Sequence, residues 1–402
     1  MNPNIARLKP YPFERLANLL AGVTPPTGKS AISMSIGEPR HAPPGFVAES
    51  LIAHAGELGA YPTARGFVEL RTAMTQALTR RYVLGTNALD TERQILPVNG
   101  TREGLFSLVQ AVMDGKPDAL VVMPNPFYQI YEGAALLAGA DPWFMNTTAA
   151  NGYKPDLATV PAAVWERTQL LFLCSPGNPT GAFMSAADWK LAFELADRHD
   201  FVIASDECYA DLYTDESAPP LGALEVAVAL GRKDFRRLVV LHSLSKRSSV
   251  PGLRSGLIAG DAEIIAPLLA YRTYHGCAMP LITQHASITA WTDDVHVVAN
   301  RKRYQTKLAA AEKILAPVLP VEIPPGAFYL WLAVPGGDDE RFARELYAAE
   351  GLITLPGRYL SRTTPQGDPG AGHVRISLVP EETLCEEALL RLARFAQNYS
   401  GV

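Results

Sequence analysis

Residues 169–205, QLLFLCSPGNPTGAFMSAADWKLAFELADRHDFVIAS, begin and end with a short apolar run of the kind that forms a buried strand. A helical stretch lies between the two runs, which occupy residues 169–174 and 201–205. Strands joined through a helix pair in parallel, because the crossover brings the chain back to the same end of the sheet. This stretch therefore predicts an α/β fold.

Similar apolar runs recur on both sides of this stretch. They are QILPV (94–98), ALVVM (119–123), RLVVLHS (237–243) and GLIAG (256–260). Helical stretches separate most of them, so we expect a doubly wound domain with a largely parallel sheet and helices on both faces. After the run at 94–98, Asn99-Gly100-Thr101 opens a helix, whose N-terminus then lies at the carboxyl edge of the sheet.

The pattern changes after about residue 290, where a long charged helix (about 295–316) is followed by strand-like runs and two further helices. The strand-like runs are VEIP, AFYLWLAV, LITLPG and HVRISLV, and the helices lie near 338–350 and 381–398. This order is typical of a smaller α+β domain. We predict a large domain over residues 46–290, with residues 1–45 and 291–402 forming an N-terminal arm and the small domain.

The composition narrows the classes of function. The 402 residues include 36 basic and 41 acidic side chains, and no basic run could follow a phosphate backbone, so nucleic acid is not an expected partner. The four cysteines lack the spacing of a disulfide framework or a metal site. No apolar segment is long enough to span a membrane, and the first residues do not resemble a secretion signal. We expect a cytoplasmic enzyme with no metal.

The segment HSLSKRSSVPGLRSG (242–256) contains the clearest chemical pattern. Lys246 follows a predicted strand, with Ser243 and Ser245 before it and Arg254 eight residues after it. A phosphorylated aldehyde cofactor requires an amine for a Schiff base, and its phosphate requires hydroxyl and guanidinium donors. Taken alone, the segment is equally compatible with a solvated loop that carries ordinary surface charges.

Two further segments carry polar residues just after predicted strands. Asp206 ends the run FVIASD, where a buried acid would need a cationic partner such as a pyridinium nitrogen, and Tyr209 follows it. Asn178 lies between a glycine and a proline in SPGNPTG, a loop that would fix its amide. The alternatives are a strand-end cap, a packed tyrosine and an ordinary turn.

SPGNPTG, SDECY and SLSKRSSVPGLRSG, in this order and spacing, resemble the class I/II aminotransferases of fold type I, which use pyridoxal 5′-phosphate. The resemblance implies that Lys246 binds the cofactor as a Schiff base and moves the proton, and that Asp206 holds the pyridine nitrogen protonated. The other implied cofactor contacts are Asn178 and Tyr209 at the ring oxygen, Tyr128 stacked on the ring, and Ser243, Ser245, Arg254, Gly100, Thr101 and Arg102 around the phosphate.

The same resemblance implies three residues at the substrate and one at a subunit interface. Gly37, Asn178 and Arg375 would bind the α-carboxylate, and an arginine within an apolar strand has a physical reason when it faces a carboxylate. Tyr61 would reach the phosphate of the other subunit, which implies a homodimer with shared active sites. One departure from the family pattern is Ser255, where an aliphatic residue is usual, and we expect only a small packing change.

Within the family, NPNIARLKPYPFERLANLLAG, GEPRHAPP and YRTYHGCAM are similar to the N-succinyl-L,L-diaminopimelate aminotransferases of proteobacterial lysine biosynthesis. The resemblance implies a ping-pong exchange between glutamate/2-oxoglutarate and N-succinyl-2-amino-6-oxopimelate. The alternatives are N-acetylornithine, aspartate or aromatic specificity, or a fold type I lyase. Candidate cations for the distal carboxylates are Arg102, Arg40, Lys9 and Arg15.

Two other classes of protein are alternative predictions. A cofactor-binding regulator would need a helix-turn-helix segment before the large domain, and the first 45 or so residues hold no such pattern. A nicotinamide-binding enzyme would need G-x-G-x-x-G between a strand and a helix, which the sequence lacks. An aminotransferase is therefore the favoured prediction.

Overall fold

The computed structural model describes residues 1–399 and 401. Its strands are β1 (Ile32–Ser33), β2 (Ile95–Val98), β3 (Leu120–Asn125), β4 (Asp141–Asn146), β5 (Thr168–Cys174), β6 (Val202–Asp206), β7 (Leu238–Ser243), β8 (Gly256–Gly260), β9 (Tyr329–Ala333), β10 (Leu352–Ile353), β11 (Leu355–Pro356) and β12 (His373–Ser377). Most of these strands lie within the apolar runs of the sequence.

Helices separate most of these strands along the chain. They are α1 (Pro12–Leu20), α2 (Gly45–Ala53), α3 (Val68–Tyr82), α4 (Thr101–Val112), α5 (Ile130–Leu137), α6 (Ala162–Trp165), α7 (Ala186–His199), α8 (Ala223–Ala229), α9 (Leu244–Arg247), α10 (Ala262–His275), α11 (Leu281–Thr292), α12 (Val295–Leu315), α13 (Asp339–Glu350) and α14 (Glu382–Asn398).

The large sheet has the strand order β2-β8-β7-β6-β5-β3-β4. Its five strands from β7 to β4 are mutually parallel, and β8 runs antiparallel to both of its neighbours. Parallel strands need helical crossovers, which cover both faces of the sheet and explain why these strands are apolar along their whole length. The predicted α/β fold with a doubly wound, mostly parallel sheet is confirmed.

Alternate residues of each central strand supply two separate cores. In β5, Leu171 and Leu173 belong to the core that includes α3, α7 and α11, whereas Leu170 and Phe172 belong to the core that includes α4, α5 and α10. This division follows from the strand geometry, because successive side chains point to opposite faces of the sheet. Both faces are dry, so the sheet is a rigid base for groups placed at its edge.

A second, smaller sheet, β11-β12-β9, is antiparallel and packs with α12, α13 and α14 around its own core. The arm joins this part of the molecule through β1, which pairs in parallel with β10. The predicted domain boundaries at residues 46 and 290 stay a prediction, and the nearest helix ends are Gly45 of α2 and Thr292 of α11.

The structure corrects one strand prediction and adds a strand that was not predicted. VEIP (321–324) forms no regular strand, because it runs into Pro324-Pro325, which offer no N–H for a ladder. Strand β4 had no counterpart in the sequence analysis, because it begins with Asp141-Pro142 and lies at the partly exposed edge of the large sheet. Within residues 1–399 and 401, none of the helices has the length and apolar character needed to cross a bilayer.

Candidate active site

The carboxyl ends of β5, β6 and β7 meet at one edge of the large sheet, as parallel neighbours must. Asn178 follows β5, Asp206 ends β6, and Lys246 lies in the short helix α9 directly after β7. The N-terminus of α4 reaches the same edge. These elements border a cavity of about 590 Å³ that is closed on its far side by the arm and by β9 and β12.

Most of the predicted site residues line this one cavity. They are Gly37, Thr101, Arg102, Tyr128, Asn178, Asp206, Tyr209, Ser243, Ser245, Lys246, Arg254 and Arg375. The structure thus brings together residues that are separated by more than three hundred positions in the chain. Their individual roles stay predictions.

Two predicted residues lie outside the cavity lining. Gly100 is immediately behind it, where a Cβ would collide with the guanidinium of Arg254. Tyr61 is fully exposed on the single chain, and its contact with a partner subunit stays a prediction. The unusual Ser255 is buried, and its hydroxyl accepts a hydrogen bond from Ser287 Oγ at 2.8 Å.

Lys246 is presented to the cavity by the first turn of α9. Ser243 caps this helix by accepting the Ser245 amide at 3.0 Å, and the Lys246 ammonium donates to the carbonyl oxygen of Gly37 in the arm. The pKa of Lys246 is lowered to about 8, chiefly by burial and also by the nearby Arg375 and Arg254, against the opposing effects of Cys208 and Glu38. An amine with a lowered pKa can act as a nucleophile and as a base near neutral pH.

Asp206 is the buried acid of the cavity. Its carboxylate accepts hydrogen bonds from the Tyr131 hydroxyl at 2.7 Å and from the Cys208 amide at 3.3 Å. Burial raises the pKa of Asp206, and these hydrogen bonds only partly offset the effect. A buried carboxylate in this state would gain stability from a cation placed beside it.

Hydrogen-bond donors gather where α4 begins. Gly100 caps α4 with φ +81° and supplies no side-chain acceptor for the first amides of the helix. Arg254, held in a left-handed conformation, donates to the carbonyls of Pro251 at 2.8 Å and Asn99 at 3.2 Å beside this terminus. Free helix amides and a guanidinium form a site for an anion.

Arg375 enters the cavity from β12 and is nearly completely buried. It donates to Asn178 Oδ1 at 3.1 Å and to the carbonyl of Ser35 at 2.6 Å. Its Nε is buried without a hydrogen-bond partner in the described part of the chain. A buried, unpaired N–H beside a cavity is suited to a ligand carboxylate, which can take two parallel bonds from a guanidinium.

Tyr131 and Tyr329 line the site and were missed by the sequence analysis, as was Tyr11 of the arm. Tyr131 lies three residues after the predicted Tyr128, a helical spacing that could have indicated a shared face. Tyr329 shares a hydrogen bond of 2.7 Å with Tyr209, and its hydroxyl lies so close to Gly37 that a Cβ there would collide with it. Tyr329 sits in an apolar strand, and no local pattern distinguishes it from a core residue.

The mouth of the cavity carries a cation and several aromatic rings. Arg102 donates to the hydroxyls of Tyr128 at 2.7 Å and Tyr11 at 3.3 Å, and Phe13 of the arm lines the same side. Arg102 is thus the one member of the four candidate cations that lines the described cavity.

The structure does not place the other three candidate cations in the lining. The guanidinium of Arg15 lies 3.8 Å from the centre of the Tyr359 ring, outside the cavity, because α1 turns this face toward the small sheet. Arg40 and Lys9 are exposed and also lie outside the lining.

A possible metal-binding group lies away from the cavity. His54, Glu57 and His285 hold potential ligand atoms within 4.8 Å of one another. The two imidazole rings stack at 3.8 Å with an angle of 5° between their planes, so their in-plane lone pairs run parallel and do not converge on one ion. The prediction of no metal remains a prediction.

The family is shown by sequence. The model of the class I and II aminotransferases matches residues 29–392. The chain belongs to this family, whose members have fold type I and use pyridoxal 5′-phosphate. It is a pyridoxal-phosphate-dependent aminotransferase that acts on amino and keto acids, as the resemblance of its motifs implies.

Individual relatives extend over nearly the whole chain. An aminotransferase from Neisseria meningitidis has a crystal structure that is 46% identical, with a TM-score of 0.94, and covers 98% of this chain and 100% of that one. Aminotransferase AspB from Helicobacter pylori is 37% identical, with a TM-score of 0.89 and the same coverage. An LL-diaminopimelate aminotransferase from Nitratidesulfovibrio vulgaris is 31% identical over 399 residues, which are 97% of each chain.

The cavity fits the family's cofactor on three physical counts. Asp206 is a buried carboxylate in need of a cation, which a protonated pyridine nitrogen supplies. The first turn of α4, which accepts no side-chain cap, lies beside Arg254 and suits a phosphate. Lys246, with its lowered pKa, opens on the same cavity and can react with an aldehyde.

Proposed function

We propose that the residues lining the cavity have distinct roles in amino transfer. Lys246 binds the cofactor aldehyde and is the acid–base group, Asp206 binds the pyridinium nitrogen, and the hydroxyls of Ser243 and Ser245 with Arg254 bind the phosphate. The observation that carries this proposal is one cavity with a half-buried lysine, a buried carboxylate and a buried arginine on its walls.

The substrate contacts follow from the same geometry. Arg375 binds the α-carboxylate with its guanidinium, while Asn178 and the Gly37 backbone fix the orientation of the bound acid. When bound, pyridoxal phosphate supplies a carbonyl for exchange of the amino group and a ring that withdraws electrons. Lys246 Nζ removes the proton from the substrate α-carbon and later returns a proton there in the reverse half-reaction.

For the substrates, we propose glutamate as amino donor and N-succinyl-2-amino-6-oxopimelate as acceptor, a step of lysine and diaminopimelate biosynthesis. Arg102, at the cavity mouth with Tyr11 and Tyr128, is the cation that binds the distal carboxylate. The sequence resemblance and the cationic mouth support this specificity. We also expect a cytoplasmic homodimer in which Tyr61 completes the partner's site.

A second candidate substrate is LL-diaminopimelate itself, without the succinyl group. It is supported by the names of relatives at about 30% identity and by Glu38, an exposed carboxylate that also lines the cavity. A free distal amine is a cation, which would favour Glu38, whereas a succinyl group is an anion, which would favour Arg102.

The experiment measures kcat/KM with glutamate for four acceptors: N-succinyl-2-amino-6-oxopimelate, N-acetylornithine semialdehyde, phenylpyruvate and oxaloacetate. The reverse reaction is assayed with N-succinyl-LL-diaminopimelate and with LL-diaminopimelate. We expect the succinyl substrates to be best and Arg102→Gln to reduce their kcat/KM about tenfold to a hundredfold, the effect of one charge-assisted contact.

Each alternative has its own result in this assay. Preference for free LL-diaminopimelate, lost in Glu38→Gln and retained in Arg102→Gln, would establish the second candidate. Phenylpyruvate or oxaloacetate as the best acceptor would overturn diaminopimelate specificity altogether.

A further inference from the structure

Lys307, on α12, is a buried lysine that takes no part in the proposed chemistry. Its side chain is 2% exposed, and its ammonium donates to the carbonyls of Leu378, at 3.0 Å, and Pro380. The third contact is with His41 Nε2 at 2.6 Å. Within the described chain, no carboxylate is among these hydrogen-bond partners, which is unusual for a buried cation.

The neighbouring hydrogen bonds fix which atom donates at each position. Asn300 Nδ2 donates to the carbonyls of Lys246 at 2.9 Å and Arg247 at 3.2 Å, so Asn300 Oδ1 faces His41 as an acceptor. His41 Nδ1, 3.1 Å from that oxygen, must therefore carry the proton. The lone pair of His41 Nε2 is then free to accept from Lys307.

The result is a continuous line of donors from Lys307 through His41 and Asn300 to the carbonyl of Lys246. It starts just beyond β12, the strand that carries Arg375, and it crosses the arm four residues after Gly37. Ser249 Oγ also donates to the carbonyl of His41 at 3.0 Å, which fixes the arm to the segment that follows Lys246. The line therefore links all three parts of the chain that border the cavity.

The pKa values of both Lys307 and His41 show that this buried arrangement is electrostatically unfavourable. Burial lowers the pKa of Lys307 to about 8, although Cys385 and Glu382 of the adjacent α14, and Glu381 just before it, partly oppose the effect. Burial and the Lys307 charge also lower the pKa of His41, which favours the neutral imidazole that the hydrogen bonds require. An apolar side chain at residue 307 would avoid the cost of a buried cation, so stability alone does not explain the lysine.

We propose that Lys307 is a positioning residue for Lys246: through His41 and Asn300 it holds the Lys246 backbone in register with the arm and with the end of β12. The proposal rests on the function proposed for Lys246. Without the line of donors, the short helix α9 retains its cap at Ser243 but loses the hydrogen bonds from Asn300 of α12 to the carbonyls of Lys246 and Arg247. A displaced lysine amine would still bind the cofactor and would transfer protons more slowly.

The decisive variant is Asn300→Leu, which removes the last link and leaves the contacts of Lys307 with Leu378 and Pro380 in place. Lys307→Met removes the first link. The matched control is Arg391→Met, because Arg391 is also a buried cation that donates to arm and helix-end carbonyls, those of Ser30 and Glu350, with no link to Lys246.

Two measurements are made on each variant. Steady-state kinetics of the holoenzyme should show kcat reduced on the order of tenfold to a hundredfold, with little change in KM, in both link variants. Hydrogen–deuterium exchange of the amides in residues 244–250 should become faster in both link variants, with and without cofactor, and remain unchanged in Arg391→Met. The double variant should be no slower in turnover than the worse single variant, because both act through one line.

The outcomes distinguish a positioning role of Lys307 from a purely structural role, and they test it independently of the proposed function. If Asn300→Leu only lowers Tm, as Arg391→Met does, and leaves kcat and exchange at 244–250 unchanged, the positioning role is overturned. If Lys307→Met does not fold, Asn300→Leu decides alone. If the wild-type protein shows no amino transfer, the proposed function fails, whereas the exchange measurement still tests whether the line holds Lys246.

Discussion

Asp206 and Glu207 are neighbours in the chain, yet they occupy opposite sides of the large sheet and opposite electrostatic environments. Asp206 faces the cavity, where the Tyr131 hydroxyl and the Cys208 amide donate to it, and burial keeps its pKa raised. Glu207 points to the other side and is equally buried.

The partners of Glu207 are all supplied by the fold. Its carboxylate receives hydrogen bonds from the Tyr82 hydroxyl, from Ser205 Oγ at 2.8 Å and from the Ala223 amide at 2.9 Å, and it lies 3.0 Å from His242 Nε2. Burial alone would raise the pKa of Glu207, but the His242, Tyr82 and Ala223 contacts outweigh it and lower the pKa.

The difference between these two acids separates stability from function. A buried charge whose partners are complete contributes to holding the fold, whereas a buried charge with incomplete partners is costly until a ligand supplies the rest. Lys246 and Arg375 resemble Asp206 in this respect. We therefore expect substitutions on the cavity side to damage turnover more than folding, and substitutions around Glu207 to do the reverse.

The largest expected effect is that of Lys246→Ala. Turnover should fall by several orders of magnitude, because both the reactive amine and the proton carrier are lost. The Tm of the cofactor-free protein should not fall, since the ammonium that is removed is destabilised by desolvation, which lowers its pKa. Exposed Lys190→Ala is the control for both measurements. Turnover within tenfold of wild type would contradict the proposed role of Lys246 as the cofactor-binding and acid–base residue.

Asp206→Asn is expected to come next. An amide cannot stabilise a pyridinium charge, so amino transfer should nearly disappear and the cofactor should dissociate more readily, while the fold persists. Stopped assays for 2-oxoglutarate and dialysis of the bound cofactor measure the two effects. Near-normal turnover would show that Asp206 is only a strand-end cap.

Glu207→Gln tests the other side of the comparison. Removing the charge beside His242 and Tyr82 breaks a complete buried network, which costs about 3–5 kcal/mol of unfolding free energy. The protein that remains folded should show close to wild-type kcat. Urea unfolding and active-site titration separate the two quantities, and a loss of kcat without a loss of stability would contradict the comparison.

The two sides also differ in how far they follow from the sequence. The α/β fold follows from apolar strands in regular alternation with helices, and the loops after β5, β6 and β7 converge because parallel strands end at one edge. The strand prediction for VEIP was wrong because it considered the apolar residues and not the two consecutive prolines at 324 and 325, which cannot donate to a β-ladder. Tyr329 and the Lys307–His41–Asn300 line could not be predicted, because their contacts join segments that only the tertiary fold brings together.

Arg375→Lys should have an intermediate effect on turnover, and it tests the role of a second charged residue on the cavity side. Both half-reactions share the α-carboxylate, and a point charge cannot replace a planar fork, so we expect about 1.5–3 kcal/mol of lost transition-state binding in each. Single-turnover rates with glutamate and with the keto acid measure the half-reactions separately, with Arg391→Lys as the control. A loss confined to one substrate would contradict the proposed role of Arg375.

The smallest expected effect is a pH dependence of the cofactor-free protein. The pKa of Lys246 is about 8 in the folded state, against 10.5 as its ordinary value, so between these values the unfolded chain binds more protons. Stability must then rise with pH relative to Lys246→Met, with a slope bounded by about 1.4 kcal/mol per pH unit. Urea unfolding at a series of pH values measures this difference.

The contributions of Asp206 and Glu207 to stability should change with pH in opposite directions. The lowered pKa of Glu207 gives stability that is present above its ordinary pKa of 4.5 and is lost as the pH falls through the folded value. The raised pKa of Asp206 gives stability that is present below its ordinary pKa of 3.8 and is lost as the pH rises through the folded value. Relative to wild type, Asp206→Asn should therefore become more stable as the pH rises through the acid range, and Glu207→Gln less stable. Parallel pH profiles for the two variants would show that the adjacent carboxylates share one environment, against the comparison from which both predictions derive.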